Sequence, residues 1–250
     1  MKIVGFAKTS DEADSRVAII LPTYCEAENI ESLIISIEDL QIDPTIIVMD
    51  DSSPDGTAYL VKKLQKAYPN IVLVSRPRKA GLGTAITDSF RFFLSRPNPP
   101  DFIIAMDADY SHNPQDIPRL LRQAKKGYDV VVGSRYCPGG KVRGWNLRRL
   151  IISRVANGVT AKIVALPVND FTSGFRCYSR EYIQEILPEL HSETYEIQIE
   201  TLRQARVHSA KVTEIPITFT NRKMGKSKLT NNEILSFLMY MLRTASKISM

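Results

Sequence analysis

The sequence predicts an α/β fold in which helices cover both faces of a mostly parallel β-sheet. Between residues 17 and 132, short apolar runs alternate regularly with longer stretches whose apolar residues recur at helical spacing. Polar or glycine-bearing loops follow the apolar runs, as expected where parallel strands end at a ligand-binding edge. The chain has 250 residues, of which 44% are hydrophobic and 24% charged, enough for one large domain with a substantial core.

Strands and helices alternate over the first half of the chain. The predicted strands are short apolar runs that end at a proline, a turn or acidic residues: 17–21, 45–49, 71–74, 102–106 and 129–132. The predicted helices have apolar residues three and four apart: 26–40, from a turn at 52–57 to about 68, from a basic loop at 76–83 to about 94, and 114–126. Strands joined by such crossover helices run parallel.

The patterning changes after residue 133. Residues 145–165 combine apolar residues at helical spacing with several arginines, which predicts an amphipathic helix with a basic face, or alternatively a core helix with a solvated face. The remaining predicted segments are a turn-rich stretch before a short helix (170–178), a helix (195–206), a strand (211–220), a basic loop (222–228) and a final helix (231–248). With no internal linker, we expect a flexible tail at 1–15, one domain over 16–230 and a C-terminal amphipathic helix over 231–250.

The stretch around which the chain is organised is residues 103–110, where an apolar run stops at Asp107 and Asp109. If strand geometry persists to the end of this run, both carboxylates point to the same side, because side-chain direction repeats every second residue. Two neighbouring anions repel unless a cation lies between them, and carboxylate oxygens suit Mg²⁺ or Mn²⁺. The first hypothesis is a divalent metal that holds a diphosphate, although for such a pair taken alone a solvated loop carrying two surface acids is the commoner interpretation.

Three further polar stretches follow predicted strands, at residues 22–24, 50–51 and 79–83. The carboxyl ends of parallel strands meet at one edge of a sheet, where ligands bind in open α/β folds. We therefore expect these stretches to converge with the two aspartates, and this convergence strengthens the metal-site hypothesis. The glycines at 81 and 83 are too few for a phosphate-binding loop, and a tight turn into a helix is the alternative.

Charge is unevenly distributed along the chain. Residues 1–132 carry a net −3, whereas residues 133–250 carry +9, so the second half is expected to meet an anion. The basic residues lack an interleaved aromatic stacking pattern, so nucleic acid is not expected as a partner. The three cysteines are widely spaced and match no zinc or disulfide motif, which favours a reducing, cytosolic setting. We identify neither a signal peptide nor an apolar run of transmembrane length.

The order of motifs resembles the inverting family-2 glycosyltransferases of the GT-A fold, over roughly residues 16–240. The shared motifs lie at residues 21–29, 50–57, 79–85 and 106–114. Later motifs are similar to those of family members that transfer mannose to dolichyl or other polyprenyl phosphates: 133–136, 144–145, 149, 152–154, 172–176 and 222–229. The chain resembles the short members, which lack the transmembrane helices that some relatives carry.

This resemblance implies roles for individual residues. Those that would hold the nucleoside are Pro22, Tyr24, Glu26 and Asp51. Those in the metal motif are Asp107, Ala108 and Asp109. The two aspartates would bind Mg²⁺ or Mn²⁺, and Ala108 would contact substrate. Ser111 stands where some relatives have a glutamine near the metal, so a third protein ligand is not implied. Those expected at the acceptor phosphate are Arg135, Arg149 and Ser153, and those expected over the donor diphosphate are Arg222 and Lys228. Asp109, Arg135 and Arg149 are the implied catalytic residues.

The resemblance also implies a reaction, in which mannose passes from GDP-mannose to dolichyl or another polyprenyl phosphate with inversion, in protein glycosylation or glycolipid synthesis. Transfer of glucose from UDP-glucose to the same lipid is the nearest alternative. A nucleotide-sugar-binding subunit without turnover is an alternative of a different class, and no glycine-rich signature of a nucleotidyltransferase follows the first strand. The implied location is peripheral, on the cytoplasmic side of a membrane (the endoplasmic reticulum in a eukaryote), with small membrane-anchoring subunits as possible partners.

Overall fold

The computed structural model describes residues 15–222 and residue 240. Within this part of the chain, seven strands form one mostly parallel sheet in the order β3-β2-β1-β4-β7-β5-β8, and β6 and β9 form a separate parallel ribbon. The strands are β1 Val17–Thr23, β2 Thr45–Asp50, β3 Ile71–Ser75, β4 Phe102–Ala105, β5 Val130–Ser134, β6 Lys141–Arg143, β7 Arg176–Ser179, β8 Val212–Pro216 and β9 Thr218–Thr220. This confirms the predicted α/β GT-A architecture.

Helices cover both faces of the sheet. They are α1 Ile30–Glu38, α2 Thr57–Leu64, α3 Leu82–Leu94, α4 Ile117–Ala124, α5 Leu147–Val164, α6 Arg180–Ile186 and α7 Ile197–Val207, with 3₁₀ turns at Pro114–Asp116 and Leu187–Glu189. One core lies between the sheet and α1, α2 and α4; the other packs α3, α6 and α7 against the opposite face. Neighbouring strand residues such as Ile19 and Ile20 enter different cores, so strands buried on both faces are apolar throughout.

Strand β7 differs from the prediction for its segment. Residues 170–178 were expected to be turn-rich before a short helix, but residues 176–179 form a strand that runs antiparallel between β4 and β5. Its residues are buried, including Arg176, whose Nη1 donates to the carbonyl of Gln198 at 2.5 Å and to Thr201 Oγ1 at 2.9 Å. A short strand that begins with a buried arginine does not show the apolar run by which the other strands were recognised.

The predicted strand at 211–220 is two strands in two different sheets. Pro216 ends β8, because proline has no N–H to continue the ladder. Ile217 then donates its N–H to Ser134 and accepts a hydrogen bond from the N–H of Lys141, so the chain passes from the main sheet to the ribbon. Strand β6, the other half of that ribbon, was not predicted. The predicted tail and final helix lie outside the described residues, apart from residues 15 and 240.

Candidate active site

A cleft of about 640 Å³ opens beyond the carboxyl ends of β1, β2 and β4. Its volume lies within the range typical of small-molecule sites, and its position is that expected of a ligand site in a parallel sheet. The sequence-predicted site residues that line it are Pro22, Tyr24, Glu26, Asp51, Asp107, Ala108, Asp109, Arg135, Arg149, Ser153 and Arg222. The structure therefore brings them together in one cleft, whereas Lys228 lies outside the described residues.

Asp51 organises the loop that follows β3. Its Oδ1 accepts from Arg76 Nε at 2.5 Å, and its Oδ2 accepts from the N–H groups of Ala80 at 3.0 Å and Gly81 at 3.2 Å. Arg76 also donates to the carbonyl of Gly81 at 3.0 Å. Because the side chains of Asp51 and Arg76 are less than one-tenth exposed, this ion pair fixes the loop against the end of β2.

The glycine pair that opens α3 forms a tight turn against the loop after α6. The N–H groups of Gly83 and Thr84 donate to the carbonyl of Glu193 at 2.9 and 3.3 Å. A Cβ on Gly81 would lie 2.4 Å from that carbonyl oxygen, and one on Gly83 would lie 2.2 Å from the carbonyl oxygen of Ser192. These N–H groups are engaged by protein, unlike those of a phosphate-binding loop, so the turn interpretation holds.

Tyr24 and Glu26 follow β1 at the same end of the cleft. The Lys79 ammonium lies 4.8 Å from the centre of the Tyr24 ring. Glu26 is 6% exposed, and its Oε2 accepts from Asn29 Nδ2 at 3.0 Å. This end of the cleft therefore offers an aromatic face, a cation and a buried carboxylate, groups that suit a nucleoside with both hydrogen-bond donors and acceptors.

The two aspartates lie on the floor of the cleft. Strand β4 ends at Ala105, so strand alternation, on which the prediction relied, does not extend to Asp107. The Asp107 N–H instead donates to Nδ1 of the buried His112 at 3.2 Å. Gly174 lies so close to Asp107 that a Cβ there would be 3.0 Å from its Oδ1. The predicted convergence is correct, but a turn after the strand produces it.

Asp109 is held on both of its oxygens. Oδ1 accepts from the Ser111 N–H at 2.9 Å and from the Ser111 hydroxyl, and Oδ2 lies 2.8 Å from Arg222 Nη2. Burial raises the pKa of Asp109, but Ser111 and Arg222 outweigh it, and the net shift is downward. The carboxylate is therefore kept ionised.

Asp107 has the opposite shift. Its side chain is 37% exposed and lines the cleft, where surrounding protein reduces its contact with bulk water. Burial raises the pKa of Asp107; His112 lowers it and Asp109 raises it, and the net direction is upward. A divalent cation between the two carboxylates would relieve this repulsion and favour the ionised form of Asp107.

The two aspartates suit a metal ion whose coordination shell is completed by substrate. Within residues 15–222 and at residue 240, no group of three or more His, Cys, Asp or Glu side chains is placed to hold a metal ion. Mg²⁺ and Mn²⁺ sites of nucleotide-dependent enzymes commonly use one or two carboxylates together with phosphate oxygens and water. The Ser111 hydroxyl donates its hydrogen bond to Asp109, so it orients this carboxylate and adds no anionic ligand.

Three arginines lie close together in the cleft. Arg135 is 7% exposed and forms a two-pronged ion pair with Asp170, with Nε–Oδ2 and Nη2–Oδ1 distances of 2.7 Å, while Nη2 also donates to Thr172 Oγ1 at 2.6 Å. Arg149 has its Cζ 4.1 Å from the centre of the Trp145 ring. Burial lowers the pKa of Arg149, and the nearby charges of Arg222 and Arg135 lower it further, so this region of the cleft attracts anions.

Helix α5 forms an apolar wall beside the arginines. Five of its side chains are about half exposed or more: Leu147 at 71%, Ile151 at 52%, Ile152 at 59%, Val155 at 60% and Val159 at 49%. Four of these, all except Leu147, also line the cleft. In the described part of the chain, no helix is both long and apolar enough to cross a bilayer.

Comparison with known proteins establishes the family. The model of the family described as "Glycosyl transferase family 2" matches residues 18–187, more than half of the chain. This chain belongs to glycosyl transferase family 2. Its relatives include the polyprenol monophosphomannose synthase of Mycolicibacterium smegmatis, 39% identical over 88% of this chain and 83% of the relative. They also include the undecaprenyl-phosphate mannosyltransferase of Micrococcus luteus, 36% identical over 86% and 88% of the two chains.

Solved structures share the fold of this family-2 chain. A Mycobacterium tuberculosis glucosyl-3-phosphoglycerate synthase in complex with Mn²⁺, UDP and glucosyl-3-phosphoglycerate has a TM-score of 0.66 at 20% identity, covering 93% of this chain and 79% of the other. The mannosyltransferase PcManGT of Pyrobaculum calidifontis, in complex with GDP-Man and Mn²⁺, has a TM-score of 0.56 at 17% identity, covering 93% and 73%. At these identities the likeness concerns the fold.

Sequence reasoning missed several residues that position the family-2 site. Arg76 and Asp170 are buried partners of predicted residues, and Trp145 supports a predicted arginine. The sequence carries Asp170 two residues before the T-S-G-F-R motif, but nothing in that spacing indicates that it pairs with Arg135, 35 residues earlier.

Proposed function

We propose that this glycosyltransferase moves mannose from GDP-mannose to dolichyl or another polyprenyl phosphate, with inversion at the anomeric carbon. The two relatives described above, both at more than 35% identity, act on polyprenyl-type lipids according to their names. The observation that carries the proposal is the composition of the cleft, in which a carboxylate pair, three arginines and an exposed apolar helix lie together. An acceptor with a phosphate head and a hydrocarbon tail matches the arginines and the helix.

The acceptor phosphate is an anion already, so the reaction needs no side chain to deprotonate a nucleophile. The task of the protein is to hold two negatively charged substrates together. Arg149 offers planar N–H donors suited to a phosphate, and Arg135 adds positive charge from its fixed position on Asp170. Ser153 Oγ accepts the Tyr136 hydroxyl at 2.7 Å, so the Ser153 hydrogen can be donated to the phosphate.

The donor diphosphate is expected near the two aspartates. Asp107 and Asp109 would hold Mg²⁺ or Mn²⁺, which when bound neutralises charge on the diphosphate leaving group. Arg222 pairs with Asp109 at 2.8 Å and can also donate to a diphosphate beside it. A single displacement by the acceptor oxygen, in line with the departing diphosphate, converts an α-linked donor into a β-linked product.

Peripheral attachment to the cytoplasmic side of a membrane, the endoplasmic reticulum in a eukaryote, belongs to the same proposal. The acceptor phosphate lies at a bilayer surface, and α5 presents apolar side chains beside basic ones such as Arg148 and Arg154. A helix of this kind lies in the interfacial plane, with apolar residues among the headgroups and cations near anionic lipids. Small membrane-anchoring subunits would serve the same purpose if intrinsic affinity is weak.

The deciding experiment incubates the purified full chain with a short-chain polyprenyl phosphate, Mn²⁺ or Mg²⁺, and GDP-mannose or UDP-glucose in parallel. We expect mannosyl lipid from GDP-mannose, with a β-linkage by NMR, and no product after chelation. Glucosyl lipid from UDP-glucose alone would replace the proposed donor. If calorimetry detected nucleotide-sugar binding but no product formed, a non-catalytic subunit would be favoured. The presence of Asp107, Asp109 and Arg149 in one cleft argues against that alternative.

A further inference from the structure

The two side chains that hold Arg149 both follow strands of the β6–β9 ribbon. Trp145 lies two residues after β6, and Asn221 comes directly after β9. The Arg149 Cζ is 4.1 Å from the Trp145 ring centre, whereas its Nη1 is 3.4 Å from Asn221 Oδ1. The Asn221 hydrogen bond is long for an N–H···O contact, whereas 4.1 Å is well within the range of a cation–π contact.

The ring of Trp145 is itself fixed. It packs edge-on against Phe219 of β9, with ring centres 5.3 Å apart, and Phe219 is 8% exposed. Between the strand and the ring, Gly144 has a φ of +79°, and a Cβ there would lie 3.0 Å from the Cβ of Asn221. A glycine is needed at this turn, and it lets the chain bring Trp145 beside the opposite strand.

Among the described residues, Arg149 differs from Arg135 and Arg222 in having no carboxylate partner; the Arg135 Cζ also lies over the Trp145 ring, but farther away, at 5.5 Å from its centre. Arg135 is paired with Asp170 and Arg222 with Asp109, but among the described residues Arg149 forms no ion pair with a carboxylate. Burial and the two neighbouring cations disfavour its charge. An aromatic face attracts a guanidinium without neutralising it, and stacking leaves the in-plane N–H groups available.

We propose that Trp145 is a positioning residue for Arg149: its ring holds the guanidinium flat, with the N–H edge available to a phosphomonoester in the cleft. A carboxylate in the same place would hold Arg149 equally well but would compete with the incoming phosphate. This inference rests on the proposed function, in which that phosphate is the head of a polyprenyl phosphate.

Steady-state kinetics tests the role first. Trp145→Leu should lower kcat/KM for the lipid phosphate about tenfold, as expected for loss of a half-buried cation–π contact, and leave calorimetric GDP affinity unchanged. Trp145→Phe keeps an aromatic face and should retain most of the activity. Tyr59→Leu, at a side chain 72% exposed on α2, is the matched control for loss of an aromatic ring. If Trp145→Phe were as impaired as Trp145→Leu, stacking would be overturned as the mechanism. The effect would then belong to the indole Nε1, which is buried without a hydrogen-bond partner among the described residues.

A double-mutant cycle separates positioning from general support of the fold. If Trp145 acts through Arg149, the double variant Trp145→Leu/Arg149→Ala should be no slower than Arg149→Ala alone. Additive losses would show that Trp145 acts independently of Arg149 and would overturn the proposal.

Fluorescence gives a readout that needs no turnover, because Trp145 is the one tryptophan of the sequence. Inorganic phosphate, and separately a short-chain polyprenyl phosphate, should change the emission of the wild type but not that of Arg149→Ala. If the emission of Arg149→Ala changed as much as that of the wild type, the proposal would be contradicted. Wild-type protein that responds to phosphate but transfers no sugar would refute the proposed function alone, whereas active wild type with an unimpaired Trp145→Leu would refute this inference alone.

Discussion

Arg222 Nη2 lies 2.8 Å from Asp109 Oδ2, which joins the segment after β9 to the segment after β4. The arginine expected at the donor diphosphate is thus paired with the carboxylate expected at the metal. Their charges balance in this arrangement, and the pair lies on the floor of the cleft with side chains 18% and 5% exposed. A change at Asp109 therefore affects the proposed metal and Arg222 together.

Asp109→Asn should abolish most of the transfer activity. The substitution keeps the shape of the side chain and removes the charge that balances Arg222 and a divalent cation. Loss of several kcal/mol of charge stabilisation corresponds to a rate reduction of about 100-fold or more. Product formation and calorimetric titration of Mn²⁺ with GDP are the measurements, with circular dichroism to check the fold. The exposed Asp43→Asn is the control, and normal turnover by Asp109→Asn would refute the metal assignment.

Arg149→Ala should impair use of the acceptor far more than binding of the donor. Arg149 lies near Arg135 and Arg222 in the cationic part of the cleft. We expect calorimetric GDP affinity near that of the wild type while transfer falls by orders of magnitude. Arg148→Ala, at the exposed neighbouring position, is the control for loss of one basic residue from α5. A parallel loss of GDP binding would place Arg149 in the donor site instead.

Val155→Glu should weaken binding to anionic vesicles. Val155 is 60% exposed on α5, and a buried carboxylate among lipid headgroups is unfavourable next to anionic lipid. Each basic residue near such a surface contributes about 1 kcal/mol, and salt screens that contribution. Flotation with anionic vesicles at low and high salt measures the binding of the variant and of the wild type. Val207→Glu, equally exposed at 60% at the end of α7, is the control.

Absence of wild-type flotation at low salt would refute intrinsic membrane affinity. An anchoring subunit would then be the remaining route to the lipid acceptor. The predicted helix at 231–250 lies outside the described residues, apart from residue 240, and is present in wild type and in both variants alike.

Asp170→Asn should destabilise the fold by about 3–5 kcal/mol, because it leaves the Arg135 guanidinium buried without its counter-charge. Chemical denaturation measures the change. Glu181→Gln, which removes the exposed ion pair with Arg180, should cost less than about 1 kcal/mol. Equal costs for the two variants would contradict the role given to the Arg135–Asp170 pair.

The same pair predicts a pH dependence. Burial raises the pKa of Asp170, but the charge and hydrogen bonds of Arg135 outweigh it, so the folded-state pKa lies below the ordinary value. The stabilisation is therefore fully present above the ordinary aspartate pKa of about 4 and is lost as the pH falls through the folded-state value. Below about pH 4 the wild type should lose stability more steeply than Asp170→Asn.

Gly83→Ala should destabilise the protein by about 1–3 kcal/mol, since its Cβ would lie 2.2 Å from the carbonyl oxygen of Ser192 and the backbone must move. Gly158→Ala, where the added Cβ meets nothing within 4 Å, should instead stabilise α5 by about 0.5–1 kcal/mol. Thermal unfolding compares them. A harmless Gly83→Ala would mean that the loop at 192–194 does not pack on this turn in solution.

Strand patterns and local motifs predicted the parallel half of the sheet because each of those strands is a continuous apolar run. The same reasoning failed at β7, where the buried Arg176 interrupts the apolar run and donates to Gln198 and Thr201 of α7. The cleft was predictable because its residues follow strands whose ends meet. Partnerships such as Arg135 with Asp170 depend on how distant segments pack, which no local pattern encodes.

The antiparallel strand β7 has a consequence for how the molecule is assembled. It separates β4 from β5, and the two strands do not pair with each other but with residues 176–179. During synthesis, the edges of β4 and β5 that pair with β7 therefore remain unpaired until more than 40 residues beyond β5 have been made. Gly174, which packs against Asp107, arrives in the same late segment. Premature termination between β5 and β7 would therefore leave an aggregation-prone half-sheet with an open edge on β4 and on β5.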